Sequence, residues 1–173
     1  LEEYAMDKAA FAPAWDMIRQ RHGIGIRCVE AVPADRIDET PVKGMRSTRE
    51  IFVHMCSFMR AAAESVPVGK LAYDEKAVLE RVRTKDQLLA YAAECWQAAD
   101  AAFQRTTDAN LNGMVTTPWG ASMPGFVILS AAADEYVHHR GQLYAFLRQM
   151  GLEPPGVWDF GHNAPDYAPL PRG

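Results

Sequence analysis

The 173-residue sequence has no run of lysine or arginine: 18 basic residues are spread along it against 22 acidic ones, for a net charge of −4. That balance offers no basic patch to a phosphate backbone and argues against a nucleic-acid binder. No stretch of eighteen apolar residues occurs, and the first residues lack a basic segment leading into an apolar run. Neither a membrane-spanning helix nor a secretory signal is therefore expected, and the default location is the cytoplasm. Cysteine is scarce. Cys28, Cys56 and Cys95 are odd in number, far apart and without a CxxC pair, so they read as buried, reduced fillers inside helices. Internal repeats and low-complexity blocks are absent too, which leaves residues 1–173 as a single domain, large enough to bury a core without staples.

What remains is an ordinary globular composition, 49% hydrophobic and 23% charged, patterned largely at helical spacing. Leu1 to Pro13 shows no clear pattern. From near Ala14, Trp15, Ile18, His22, Ile26 and Val29 recur along one helix face, although Gly23 and Gly25 each weaken that helix by about 1 kcal/mol relative to Ala. His22 lies on or beside this stripe and reads as a hydrogen-bonded core histidine before it reads as a ligand. After a loop from Pro33 to Arg46, Ser47-Thr-Arg-Glu50 is a capping box that opens a second helix ending near Val66. Its stripe of Ile51, Phe58, Ala61 and Ala62 includes His54. Thr84-Lys-Asp-Gln87 opens a third helix, whose buried face of Leu88, Ala92, Cys95, Trp96, Ala99 and Phe103 looks purely structural. Thr107 to Met123 is a long connection in which Trp119 is a candidate wall or lid residue, positioned to touch a bound cofactor or substrate. Pro124 suits the first turn of a fourth helix that stops at Gly151, ahead of Pro154 and Pro155. The tail from Leu152 to Gly173 carries Trp158, Phe160 and Tyr167 and is expected to pack back along the bundle, with His162 on the surface.

These elements predict an all-α fold, a four-helix bundle with long loops and a Pro- and aromatic-rich C-terminal tail. The fourth helix is the unusual one. Its stripe through Ile128, Ala131, Ala132, Leu143, Phe146 and Met150 carries Glu135, His139 and Gln142 with it. Asp134 and His138 repeat the same spacing one residue round, so the sequence leaves open which pair faces inward; the stripe favours Glu135 and His139. A carboxylate buried alone costs several kcal/mol or protonates, so Glu135 needs a cation, a hydrogen-bond donor or a metal ion. Glu and His at i and i+4 can ligate one ion, and His54 from another helix completes a set of three. Two nitrogens and one oxygen leave a fourth position open, as in catalytic zinc sites, and the same donors suit nickel, iron or manganese.

The segment His138-His-Arg-Gly-Gln142, followed by Leu147-Arg-Gln-Met-Gly151 and Pro154-Pro155, with Met45-Arg-Ser-Thr-Arg-Glu50 and His54 upstream, resembles the DinB/YfiT-like family of metalloenzymes from about Ala14 to Pro155. The resemblance implies a four-helix bundle, often a homodimer. It also implies a divalent transition metal, zinc or nickel first, held by one histidine of the second helix and an HxxxH pair of the last. His54 and His139 match the first and last of these ligands; Glu135 stands where the family has histidine. A carboxylate there adds negative charge and hardens the ligand set. Without an ion, Glu135 would turn to a cation such as Arg140.

The chemistry implied is either thiol-dependent transfer, with a low-molecular-weight thiol as cosubstrate, or hydrolysis of a small-molecule substrate. Under both, His138 is the candidate proton-transfer group and Gln142 the candidate ligand-binding amide. The competing expectation is a metal-free, non-catalytic helical binding or stress-response protein whose polar residues satisfy one another.

Overall fold

The computed structural model describes residues 5–170. Its frame is four long helices, α1 (Lys8–Ala31), α2 (Thr48–Ser65), α4 (Lys85–Arg105) and α6 (Gly125–Gln149), with two short ones, α3 (Glu75–Arg81) and α5 (Asp108–Asn112), set between them. Helix α2 packs against α4 and α6, and α1 packs against α6 and α4, so α1 and α2 stand diagonally across the bundle. Both expected capping boxes form, Ser47 with Glu50 and Thr84 with Gln87. Helix α6 ends at Gln149, and Gly151, two residues beyond, has a φ of +78°, the left-handed conformation glycine adopts without strain.

Three expectations change. Helix α1 begins at Lys8, because the Asp7 side chain caps it by accepting from the Ala9 N–H and Phe11 is already buried; Pro13 is tolerated inside, near the N-terminal end. Leu1 to Tyr4 lie outside the described residues. The connection from Thr107 to Met123 is largely ordered secondary structure: α5 leads into an antiparallel hairpin of β1 (Met114–Thr116) and β2 (Ser122–Pro124), so Pro124 ends a strand and precedes α6. Leu71 N–H donates to the Thr116 carbonyl at 2.9 Å, and a small apolar cluster of Phe58, Ala62, Leu71, Val115, Ile128 and Ala132 forms beneath the hairpin. Third, the buried face of α6 keeps Ile128, Ala132, Leu143 and Phe146 from the expected stripe and adds Leu129, Tyr136, Arg140, Tyr144 and Leu147. It is centred on Tyr136 and Arg140, which leaves Glu135 and His139 on its shoulder. Large side chains with a polar end fill the interior here.

The main core is aromatic at one end, where Trp15 stacks on Trp96 at 5.3 Å and on Phe103 at 4.7 Å. His22 is fully buried at its centre. Its Nε2 lies 3.1 Å from the Ala92 carbonyl, which can only accept, so Nε2 carries the proton and Nδ1 accepts from the Tyr136 hydroxyl at 2.8 Å. Burial lowers its pKa to about 4, so it stays neutral. The tail packs back as expected: Arg27 pairs with Asp159 at 2.7 Å, Asn163 Nδ2 donates to the Gln20 carbonyl at 2.8 Å, and Tyr167 is buried against His22. Residues Pro171 to Gly173 lie outside the described part. His162 is on the surface beside Asp159, and all three cysteines are buried and free, with burial pushing the Cys28 thiol up to about 12 and that of Cys95 up to about 11.

The two glycines that weaken α1 are where other elements approach it most closely. A Cβ on Gly23 would stand 2.6 Å from the Tyr167 Cβ, and one on Gly25 would stand 2.6 Å from the Tyr136 hydroxyl. Gly23→Ala is therefore expected to destabilise the protein by about 1–3 kcal/mol in denaturant unfolding, although the same change on an exposed helix stabilises by about 1 kcal/mol. Equal or higher stability would show that the tail does not pack on α1. His22 makes a second prediction. The unfolded chain takes up its proton near pH 6.5 and the folded chain only near 4, so stability falls as pH drops through that window, by about 3 kcal/mol for this group alone. In His22→Gln the loss between those pH values is expected to be smaller than in the parent; an identical loss would refute a neutral buried imidazole.

Candidate metal centre

His54 on α2 and Glu135 and His139 on α6 come together, each half-buried, with ligating atoms that all lie within 4.8 Å of one another. The capping box fixes the start and pitch of α2, and His54 falls one turn before Phe58, on whose ring it stacks at 6.3 Å. The rotation of α6 that buries Tyr136 turns Glu135 and His139 toward α2. Asp134 and His138, the alternative pair, face solvent. The centre sits at the edge of the bundle, with Glu135 the most open of the three at 44% side-chain exposure against 15% for His54 and 13% for His139.

The orientation of both imidazoles is set from behind. His54 Nδ1 lies 2.7 Å from the Glu75 carboxylate, which can only accept, so Nδ1 carries the proton and the Nε2 lone pair faces the centre. His139 Nδ1 donates to the Gln142 side-chain oxygen at 2.7 Å, which again leaves Nε2 as the inward lone pair. Burial, the largest influence on His139, holds its pKa below the ordinary histidine value and keeps it neutral. The Glu135 carboxylate stands 3.1 Å from His139 Nε2 and 3.5 Å from His54 Nε2. Three acceptors thus meet with no donor between them, an arrangement that could hold a cation. Ligand atoms on a tetrahedral zinc ion at ordinary bond lengths stand roughly 3.3 Å apart, which matches these separations.

Glu75 was not legible as a site residue. It lies in the first turn of α3, a seven-residue helix capped by Asp74 and too short to show a period. Its second oxygen is held by Arg46 at 3.1 Å, and the hydrogen bond from His54, with Arg46 adding to it, keeps its pKa below the usual carboxylate range. Hydrogen-bonding carboxylates of this kind orient ligating histidines and raise their basicity. Gln142 serves the same purpose for His139, and its amide nitrogen also reaches His138 Nε2 at 3.3 Å. Trp119 sits at the hairpin turn, 58% exposed and without a hydrogen bond or ring contact among the described residues. Arg140 does not hold Glu135; it points into the core on the α1 side.

A four-helix bundle that aims two imidazole lone pairs and a carboxylate at one point is a helical protein with a candidate centre for a divalent ion. The chain belongs to the DinB family, whose family model matches residues 16–164. Among solved structures it is similar to a DinB-like protein from Bacillus cereus, at 18% identity and a TM-score of 0.70, over 87% of this chain and 97% of that one. It is likewise similar to the DinB-like protein YjoA from Bacillus subtilis, at 19% identity and a TM-score of 0.66, over 82% and 96% of the two chains. YfiT from Bacillus subtilis, described as a probable metal-dependent hydrolase with an unusual four-helix bundle topology, matches at 16% identity and a TM-score of 0.69, over 88% and 94%. At these identities the likeness shows a shared fold. No curated protein matches the chain. No described helix is long and apolar enough to cross a membrane.

Glu75→Gln keeps the shape of the side chain and removes its charge. It is expected to weaken zinc binding by about 10- to 100-fold in competition with a chromophoric chelator. Unchanged affinity would reduce Glu75 to a partner of Arg46 alone.

Proposed function

We propose that this protein is a metal-dependent hydrolase of a small-molecule substrate, with His54, Glu135 and His139 as ligands of one divalent transition ion. The observation that carries the proposal is the convergence of three acceptor groups with both histidine protons turned outward. An ion there, zinc or nickel first, would supply Lewis-acid chemistry, polarising a substrate oxygen and acidifying a water or thiol. Glu135 favours the hydrolytic reading over thiol transfer: two histidines and a carboxylate make a harder, less positive centre than three histidines, one suited to oxygen ligands. YfiT, with the same fold, is described in hydrolytic terms.

The remaining roles follow from position. Glu75 and Gln142 hold the two imidazoles in orientation. The exposed side of Glu135 leaves an approach from solvent. His138, exposed and hydrogen-bonded by the Gln142 amide nitrogen, stands at the rim and is the candidate to carry a proton between the centre and solvent.

Elemental analysis of untagged protein prepared without chelator is expected to give about one equivalent of transition metal per chain. His54→Ala and His139→Ala should each lose most of it while keeping the helical circular-dichroism signal. Absence of metal in the parent, even after reconstitution with zinc or nickel, would leave a non-catalytic helical binding protein as the better reading.

A further inference from the structure

We propose that the seam between α1 and α6 binds one small oxyanion, a phosphate or carboxylate group, through Arg140 and Tyr144. The seam lies on the opposite shoulder of α6 from the metal centre and does not depend on what binds there. Arg140 is only 7% exposed, yet it enters no hydrogen bond or ion pair among the described residues, and its Nη1 is buried without an acceptor. The Tyr144 hydroxyl, one helical turn further on and also in a residue 7% exposed, is buried without a partner as well. A guanidinium does not shed its proton to escape burial, so the charge stays and calls for an anion.

The surrounding chain supplies too few. Arg140 and Arg148 stand 5.8 and 5.9 Å from the centre of the Tyr144 ring. Arg21 on α1 is near enough to Arg140 for the two charges to repel, and Arg27, also on α1, is already taken up by Asp159 at 2.7 Å. Among the described residues, the carboxylates facing this group are that Asp159 and Asp134, an exposed residue near Arg21. Four guanidiniums therefore meet two carboxylates, on a chain whose net charge is −4. Buried water would satisfy the two orphaned donors but leave the positive charge uncompensated. An oxyanion does both: its oxygens accept from the arginine fork and the tyrosine hydroxyl, the pairing for which a planar guanidinium is shaped. Two donors one helical turn apart suit a single such group.

The test is thermal unfolding of the parent protein in millimolar inorganic phosphate and, separately, in acetate, each at ionic strength matched with chloride. A saturable rise of about 4 °C at a tenfold excess over Kd is expected with one of the two anions, and which one responds separates phosphate from carboxylate. Arg140→Met, which keeps the bulk and removes the charge, should abolish the rise. Tyr144→Phe, which deletes one hydroxyl and gives an independent measure if Arg140→Met does not fold, should weaken the apparent affinity severalfold. No rise with either anion, or the same rise in Arg140→Met or in Tyr144→Phe, overturns the proposal. So does a dimer in sedimentation that Arg140→Met dissociates without any anion response, since a carboxylate from a second copy would then be the partner of Arg140.

Discussion

The hydrogen bond between Tyr136 and His22 is the contact on which the arrangement of α6 depends. It is fully buried, and the other ring nitrogen of His22 is anchored to the Ala92 carbonyl, so one imidazole ties α1, α4 and α6 together. Successive residues of a helix stand about 100° apart, so fixing Tyr136 inward leaves little freedom to its neighbours. Glu135 and His139 turn toward α2, Asp134 and His138 toward solvent, and Arg140 follows Tyr136 into the interior. A rotation of α6 by one residue would break the buried bond, expose Tyr136 and bring Asp134 rather than Glu135 to His54. Gly25 belongs to the same constraint, because only a residue without a Cβ lets the Tyr136 hydroxyl approach α1 so closely.

Much of this was legible in the sequence, and the parts that were not share a cause. Capping boxes at Ser47 and Thr84 gave the starts of α2 and α4, since the cap chemistry is local and its residues are adjacent. His54, Glu135 and His139 could be named as ligands because carboxylate and imidazole spacing survives small errors in helix rotation. The buried face of α6 keeps Ile128, Ala132, Leu143 and Phe146 from the expected stripe but is wider, and its centre escapes the apolar period. Apolar periodicity counts Leu, Ile and Phe, whereas the centre of this stripe is Tyr136 and Arg140, whose polar ends are placed by partners distant in sequence. The Asp7 cap escapes the sequence because Leu1 to Pro13 shows no clear apolar period to which a helix start could be tied. The hairpin and α3 escape the sequence because three to seven residues do not establish a period, and both are also held from outside, the hairpin by Gly69 and Leu71 and α3 by His54.

The glycines of α1 show why propensity alone misjudges such a chain. Gly23 and Gly25 weaken an isolated helix, and the sequence gives no reason to prefer them. In the folded protein they admit the tail at Asn163 and Tyr167 on one side and Tyr136 on the other, so the local cost is offset by packing that a larger residue would prevent. The tail in turn covers His22, and its burial keeps that histidine neutral and able to accept from Tyr136.

Two carboxylates flank His54, and their different surroundings give them different work. Glu75 accepts the Nδ1 proton of His54 with one oxygen and pairs with Arg46 through the other; both of its lone-pair sets have donors, and it is stable as an anion without any ion nearby. Glu135 faces the opposite edge of the same ring, where only lone pairs meet it. If Glu75 were absent, the His54 proton could move to Nε2 and donate to Glu135, and the centre would close as an ordinary hydrogen bond. By taking that proton on the far side, α3 keeps His54 from satisfying Glu135, just as Gln142 keeps His139 from doing so. The short helix thus keeps a cluster that could neutralise itself open as a candidate centre for a cation.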